Sequence, residues 1–129
     1  MARVIAPDAA KRLGLPGRAS YEIVSGAMGS KAVTLRRVEI PVPTGDAPGR
    51  GRHRHGDFEE CIYVLSGEGT TYAGDSTLAV KAGDTIHIPA GEAHITRNTG
   101  DAPLVLLCFF PVADVSPGTE EGLPLPTSK

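Results

Sequence analysis

From Ser20 onward the chain is built of short runs of about four to eight β-branched, aromatic and aliphatic residues, broken by glycine, proline, aspartate or asparagine at intervals of about eight to twelve residues. No unbroken stretch keeps a 3.6-residue period long enough for a packed helix. This rhythm predicts an all-β antiparallel sandwich or barrel. Strands are expected near Glu22 to Val24, Val33 to Ile40, Glu60 to Ser66, Gly69 to Ala73, Leu78 to Val80, Thr85 to Ile88, Ala93 to Asn98 and Leu104 to Phe110.

The ends read differently. Asp8 can cap a helix through Ala9, Ala10, Lys11, Arg12 and Leu13, with Gly14 and Pro16 stopping it after about two turns. The chain is thus expected to divide into an N-terminal arm with a short helix (1–19), one β domain (20–112) and a Pro/Gly-rich, irregular C-terminal tail (113–129). That tail is either disordered or, through Leu123 and Leu125, an arm laid over another surface. The segment Pro41 to Gly51, "PVPTGDAPGRG", reads as a loop, because prolines at this density cannot sit in a central strand.

A chain of 129 residues can bury a core without staples. Cys61 and Cys108 sit in apolar runs, without a C-x-x-C spacing, and are expected to be buried free thiols in a reducing compartment. The first residues carry no signal-peptide pattern, and no apolar run approaches the roughly eighteen residues of a membrane span, so a cytoplasmic protein without a membrane partner is expected. Thirteen basic against fifteen acidic side chains leave a net charge of −2, which gives no reason to expect nucleic acid.

All four histidines fall between His53 and His94. On an extended chain His53 and His55 project into one space, while Arg52 and Arg54 point the other way. In the following strand Glu60 shares an apolar face with Ile62 and Val64, where a carboxylate needs a cationic partner. Two imidazoles and a carboxylate aimed at one point suit a first-row divalent metal, and His94, which shares its strand face with Thr96 and Asn98, can add a fourth ligand. His87, opposite in parity to Ile86 and Ile88, reads as a structural hydrogen-bonding residue. Thr96 and Asn98 are candidates to orient the ligating imidazoles.

These residues resemble a known family. The run His53-x-His55-x4-Glu60-x6-Gly67 looks like the first motif of the cupin superfamily, and Gly83-x5-Pro89-x-Gly91-x2-His94-x3-Asn98 is similar to the second at every fixed position, with fifteen residues between Gly67 and Gly83. The likeness covers roughly Pro41 to Pro111. One position departs: six residues before His53, where the family often has glycine, stands Ala47. Glu59 is an alternative to Glu60, which fits the spacing to Gly67 better. The resemblance implies a conical, jelly-roll-like barrel of two antiparallel sheets, with His53, His55, Glu60 and His94 holding one divalent transition metal per chain: iron, manganese, nickel, zinc, copper or cobalt.

The resemblance further implies a small-molecule enzyme, with dioxygenase-like oxidation ahead of a metal-dependent lyase, isomerase or decarboxylase, and a ligand-binding or sensor protein as third reading. Ile62, Val64, Ile86 and Ile88, with Phe109 or Phe110, would wall the site. Tyr63 and Tyr72 are available as acid or base, although Tyr63 has the wrong parity for the interior. A homodimer is expected, through a sheet face or through the apolar segment "RVIAP" added to a partner's edge.

Overall fold

The computed structural model describes residues 1–44 and 50–125. Eleven strands are defined among them: β1 Lys11–Leu13, β2 Ala19–Val24, β3 Thr34–Ile40, β4 Arg52–His55, β5 Glu60–Ser66, β6 Glu68–Ala73, β7 Ser76–Lys81, β8 Thr85–Ile88, β9 His94–Asn98, β10 Leu104–Phe110 and β11 Thr119–Leu123. They form two antiparallel sheets, a six-stranded one in the order β1-β2-β3-β10-β5-β8 and a five-stranded one in the order β11-β4-β9-β6-β7. From β3 onward the chain passes back and forth between the sheets, and only the β6–β7 hairpin stays within one. Residues distant in sequence therefore meet across the gap.

Period-two alternation fills that gap. β5 buries Glu60, Ile62 and Val64 and exposes Cys61, Tyr63 and Leu65, while β8 buries Ile86 and Ile88 and exposes His87. Leu104, Leu106, Cys108 and Phe110 line β10 on the same side, and Ala73 and Val80 answer from the second sheet. Phe58 and Val115 close the core around them. The eight expected strands are all present, with shifts of a few residues at their ends.

Three expectations need correction. In place of a two-turn helix, the N-terminal arm has a 3₁₀ turn at Pro7–Ala9, and Lys11–Leu13 then pairs with β2, Lys11 opposite Glu22 and Leu13 opposite Ser20. So short a helix cannot repay its nucleation, and Asp8 lies inside the turn where it caps nothing, so edge pairing wins. The tail is not irregular throughout: β11 pairs with β4, Thr119 opposite His55 and Glu120 opposite Arg54. Gly51 makes room for it, since a Cβ there would stand 2.7 Å from the Leu123 carbonyl oxygen. Cys61 is exposed, because strand parity puts it on the outer face of β5, whereas Cys108 is buried as expected. The comparison at Ala47 lies outside the described residues, and among those described no helix is long and apolar enough to cross a membrane.

Gly67, between β5 and β6, has φ 86°, and a Cβ there would lie 2.6 Å from the Pro103 carbonyl oxygen. A side chain would meet both left-handed strain and a backbone clash. Gly67→Ala should therefore lower the unfolding free energy by at least about 1–2 kcal/mol, read from the midpoint of a urea melt.

Candidate metal centre

Four side chains from three strands converge between the sheets. His53 and His55 come from β4 and His94 from β9, with His53 opposite His94 in the register, while Glu60 reaches across from β5. One ligand atom from each lies within 4.8 Å of the others. The ring centroids of His53 are 4.2 Å from those of His94 and 5.1 Å from those of His55. His55, Glu60 and His94 are buried, and His53 is half-buried.

The turns around β4 set this geometry. The Gly91 amide, in the turn after Pro89 where φ is 81°, donates to the His55 carbonyl at 2.6 Å. Arg52 and Arg54 point away, as their parity requires: Arg52 donates to the carbonyls of Pro124 and Gly74, and Arg54 pairs with Glu120. Glu59 and His87 meet on the exposed face, 2.6 Å apart, so of the two candidate glutamates only Glu60 joins the cluster.

The protonation of the imidazoles is fixed from outside. Thr119 donates its only hydroxyl proton to the Val115 carbonyl at 2.6 Å, so it must accept from His55 Nδ1 at 3.0 Å. His94 Nδ1 likewise donates to the Glu92 carbonyl at 2.9 Å. Both rings thus turn Nε2 toward Glu60 Oε1, at 3.3 Å for His55 and 2.9 Å for His94. A lone pair facing a carboxylate oxygen is stable only with a cation between them, either a proton or a metal ion. His55 Nε2 and His53 Nδ1 are buried with no hydrogen-bond partner among the described residues. Three imidazoles and a buried carboxylate converging within 4.8 Å, with His55 Nε2 left without a hydrogen bond, fit a divalent transition metal by position and by donor chemistry.

Charge follows the same pattern. Burial favours the protonated form of Glu60, but the imidazoles of His55 and His94 outweigh it and hold its pKa at about 2. Burial, then the neighbouring His94, lowers His53 to about 3. For His94 burial also works against the charge, yet Glu60 and the Glu92 carbonyl raise its pKa overall. Cys108 lies beside Glu60, and burial followed by that carboxylate pushes its thiol well up, so it stays protonated.

Two expectations about supporting residues fail. Thr96 bonds Thr71 at 2.8 Å, and Asn98 donates to the carbonyls of Ile40 and Ala102, so neither holds an imidazole. Their parity is right, but other partners take them: Thr71 on the neighbouring β6 for Thr96, and the carbonyls of Ile40 on β3 and of Ala102 in the following loop for Asn98. Thr119 takes the role for His55, a residue with no motif around it and visible only once β11 is placed. Tyr63 lies on the outer face, and Tyr72 stacks under Arg97 5.9 Å away, so neither tyrosine reaches the cluster. Of the two candidate phenylalanines, Phe110 is buried beside His55 and Phe109 points outward.

Residues 33–110 match the cupin domain model. The chain belongs to the cupin domain family. Among characterised and uncharacterised cupin relatives, an uncharacterised protein of Methanocaldococcus jannaschii is 41% identical over 78 residues, which are 60% of this chain and 61% of that protein. An oxalate-binding protein of Thermotoga maritima is 35% identical over 86 residues, covering 65% of this chain and 66% of its own. Auxin-binding protein 1 of Arabidopsis thaliana is 34% identical over 108 residues, 75% of this chain and 52% of that protein. The matches thus span about half to two thirds of these relatives' lengths. Among solved structures, an oxalate decarboxylase of Lactobacillus farciminis in complex with formate superposes with a TM-score of 0.73 at 21% identity, covering 88% of this chain and 34% of that one. A Streptomyces nucleoside dehydratase, also solved with uridine, gives 0.75 at 14% identity over 98% of this chain and 95% of its own. At these identities the structural likeness concerns the fold.

Thr119→Val keeps the shape of the side chain and removes the acceptor for His55 Nδ1. It should weaken metal binding about ten- to hundredfold in competition with a chromophoric chelator, and Thr119→Ser should restore it.

Proposed function

We propose that this cupin is a metal-dependent enzyme acting on a small molecule, with His53, His55, Glu60 and His94 as ligands to one divalent transition metal and dioxygenase-like oxidation as its chemistry. The observation that carries this reading is the convergence of one ligand atom each from His53, His55, Glu60 and His94 within 4.8 Å, beside an open cavity of about 590 Å³ that His53 and His55 line. Bound there, such a metal would supply Lewis acidity and, if redox-active, electron transfer to dioxygen. The chain's own residues do the rest. Thr119 and the Glu92 carbonyl keep Nδ1 of His55 and His94 protonated and aim Nε2 inward. Ile62, Cys108 and Phe110 wall the inner space and exclude water from a reacting group. Ile86, Ile88 and Val64 support that wall from the core.

A second reading is non-redox chemistry, as a lyase, isomerase or decarboxylase in which the metal acts only as a Lewis acid. Glu22, Asp114 and Glu121 at the cavity lining favour it, because they could move a proton where no tyrosine reaches. The relatedness to an oxalate-binding protein supports a third, binding without turnover.

Protein loaded with iron, manganese, copper, nickel, cobalt or zinc would be screened against enolisable diketones, hydroxy acids and phenolic compounds, with and without air. Turnover that needs air and is absent with zinc is expected. Oxygen-independent turnover with zinc would sink the oxidative reading and promote the second. Elemental analysis should show about one metal per chain, lost in His53→Ala and in His55→Ala; unchanged metal in both would remove the site itself.

We propose also that two copies pair. Tyr63 and Leu65 on β5 and Phe109 on β10 are exposed on one outer sheet face, which a second copy would cover. Light scattering at micromolar concentration should give twice the 13.4 kDa chain mass; a monomer mass, or a dimer unaffected by Tyr63→Glu with Phe109→Glu, counts against this face.

A further inference from the structure

The inner cavity beside the cluster, about 60 Å³, is lined by three arginines, Arg18, Arg36 and Arg50, against a single carboxylate, Glu60. Arg36 is matched, with Nε and Nη2 on Glu22 at 3.1 and 3.0 Å. The other two are not. Arg18 Nη1 donates to the Pro16 carbonyl at 2.8 Å, and the buried Arg50 Nη1 has no hydrogen-bond partner among the described residues. Neither guanidinium has a carboxylate within ion-pair distance among those residues. Glu121 acts on both only from farther away. Two like charges held together beside a cavity, partly desolvated and unpaired, carry a cost that an anion entering between them would offset.

The fold builds this pair deliberately from two loops. A Cβ at Gly17 would stand 3.7 Å from Arg50 Cδ, so the arm carrying Arg18 rests against the Arg50 stem. The Arg50 carbonyl is in turn held by Arg97 Nη2 at 3.1 Å. We propose that Arg18 and Arg50 clamp the carboxylate of a small organic acid, whose second oxygen function then reaches the cluster of His53, His55, Glu60 and His94. Guanidinium forks match a planar carboxylate with paired hydrogen bonds. The outer cavity, lined by Arg18, Arg36, Glu22, Asp114 and Glu121, leaves room for the rest of the acid; with Glu22 paired to Arg36, Asp114 and Glu121 outnumber Arg18 there, which disfavours ligands of higher negative charge such as phosphates. The second contact rests on the metal reading above; the clamp itself does not. Arg18 lies outside residues 33–110, so this half of the clamp is set by the arm and not by the matched segment.

The test is calorimetric titration of malonate, malonamide and inorganic phosphate into manganese-loaded and metal-free protein, for the wild type, Arg18→Gln, Arg50→Gln and Arg18→Lys. Malonate should bind the loaded wild type and weaken about ten- to hundredfold in each Gln variant, and less in Arg18→Lys, while the neutral malonamide fails to bind. Manganese affinity, read from the electron paramagnetic resonance of the free ion, should stay the same in all variants. Equal malonate affinity in both Gln variants, malonamide binding as tightly, or phosphate binding more tightly overturns the clamp. If a Gln variant fails to melt cooperatively, Arg18→Lys and the malonamide comparison still decide. Absent manganese binding with malonate retained on metal-free protein removes the metal reading and leaves the clamp standing; manganese bound without any malonate binding does the reverse.

Discussion

The arrangement turns on one buried carboxylate. Glu60 sits between two sheets on a face otherwise made of Ile62 and Val64, a place where an unpaired charge is costly. Its charge is compensated chiefly from the opposite sheet, through His55 and His94. Those imidazoles can compensate it only because their outer nitrogens are occupied by Thr119 and by the Glu92 carbonyl. The sheet-to-sheet distance, the orientation of β4 and β9 and the position of the tail are therefore linked through one oxygen atom.

The sequence exposed those parts of this arrangement that depend on period and spacing. Alternation put Glu60 inward and Tyr63 and His87 outward, and Gly67, Pro89 and Gly91 mark turns that the structure contains. Even Glu60 over Glu59 followed from counting residues, and the exposed Glu59–His87 pair shows why the alternative does not reach inside. What stayed hidden depends on contacts between distant segments. Lys11–Leu13 is helical by local preference and a strand because β2 offers an unpaired edge. Thr119 lies in "SPGTEEGL", which reads as turn and solvent, and becomes a histidine's partner only because β4 offers its other edge. Thr96 and Asn98 failed for the same reason in reverse: their faces were correct, and other partners took them. Arg50 has the same parity as Arg52 and Arg54 but precedes the strand, so alternation does not govern it and its side chain turns inward.

The strand bearing two of the four cluster residues is held more by the tail strand than by its other neighbour. β4 joins β9 through the single pair His53–His94, whereas β11 contacts it along its length from Arg52 to His55. Its outward arginines reinforce this, with Arg54 on Glu120 and Arg52 on the Pro124 carbonyl. Rigidity at the site is in this way lent by the end of the chain.

That loan bears on how such chains diversify. The segment from 33 to 110 carries all four residues of the cluster, but the residue orienting His55 lies after it and Arg18 lies before it. Two descendants could keep the middle unchanged and, by altering only their termini, differ in how tightly they grip an ion and in which acids they admit. For a scaffold of this kind the ends are where selectivity can evolve without disturbing the fold, and comparing middles alone would miss it.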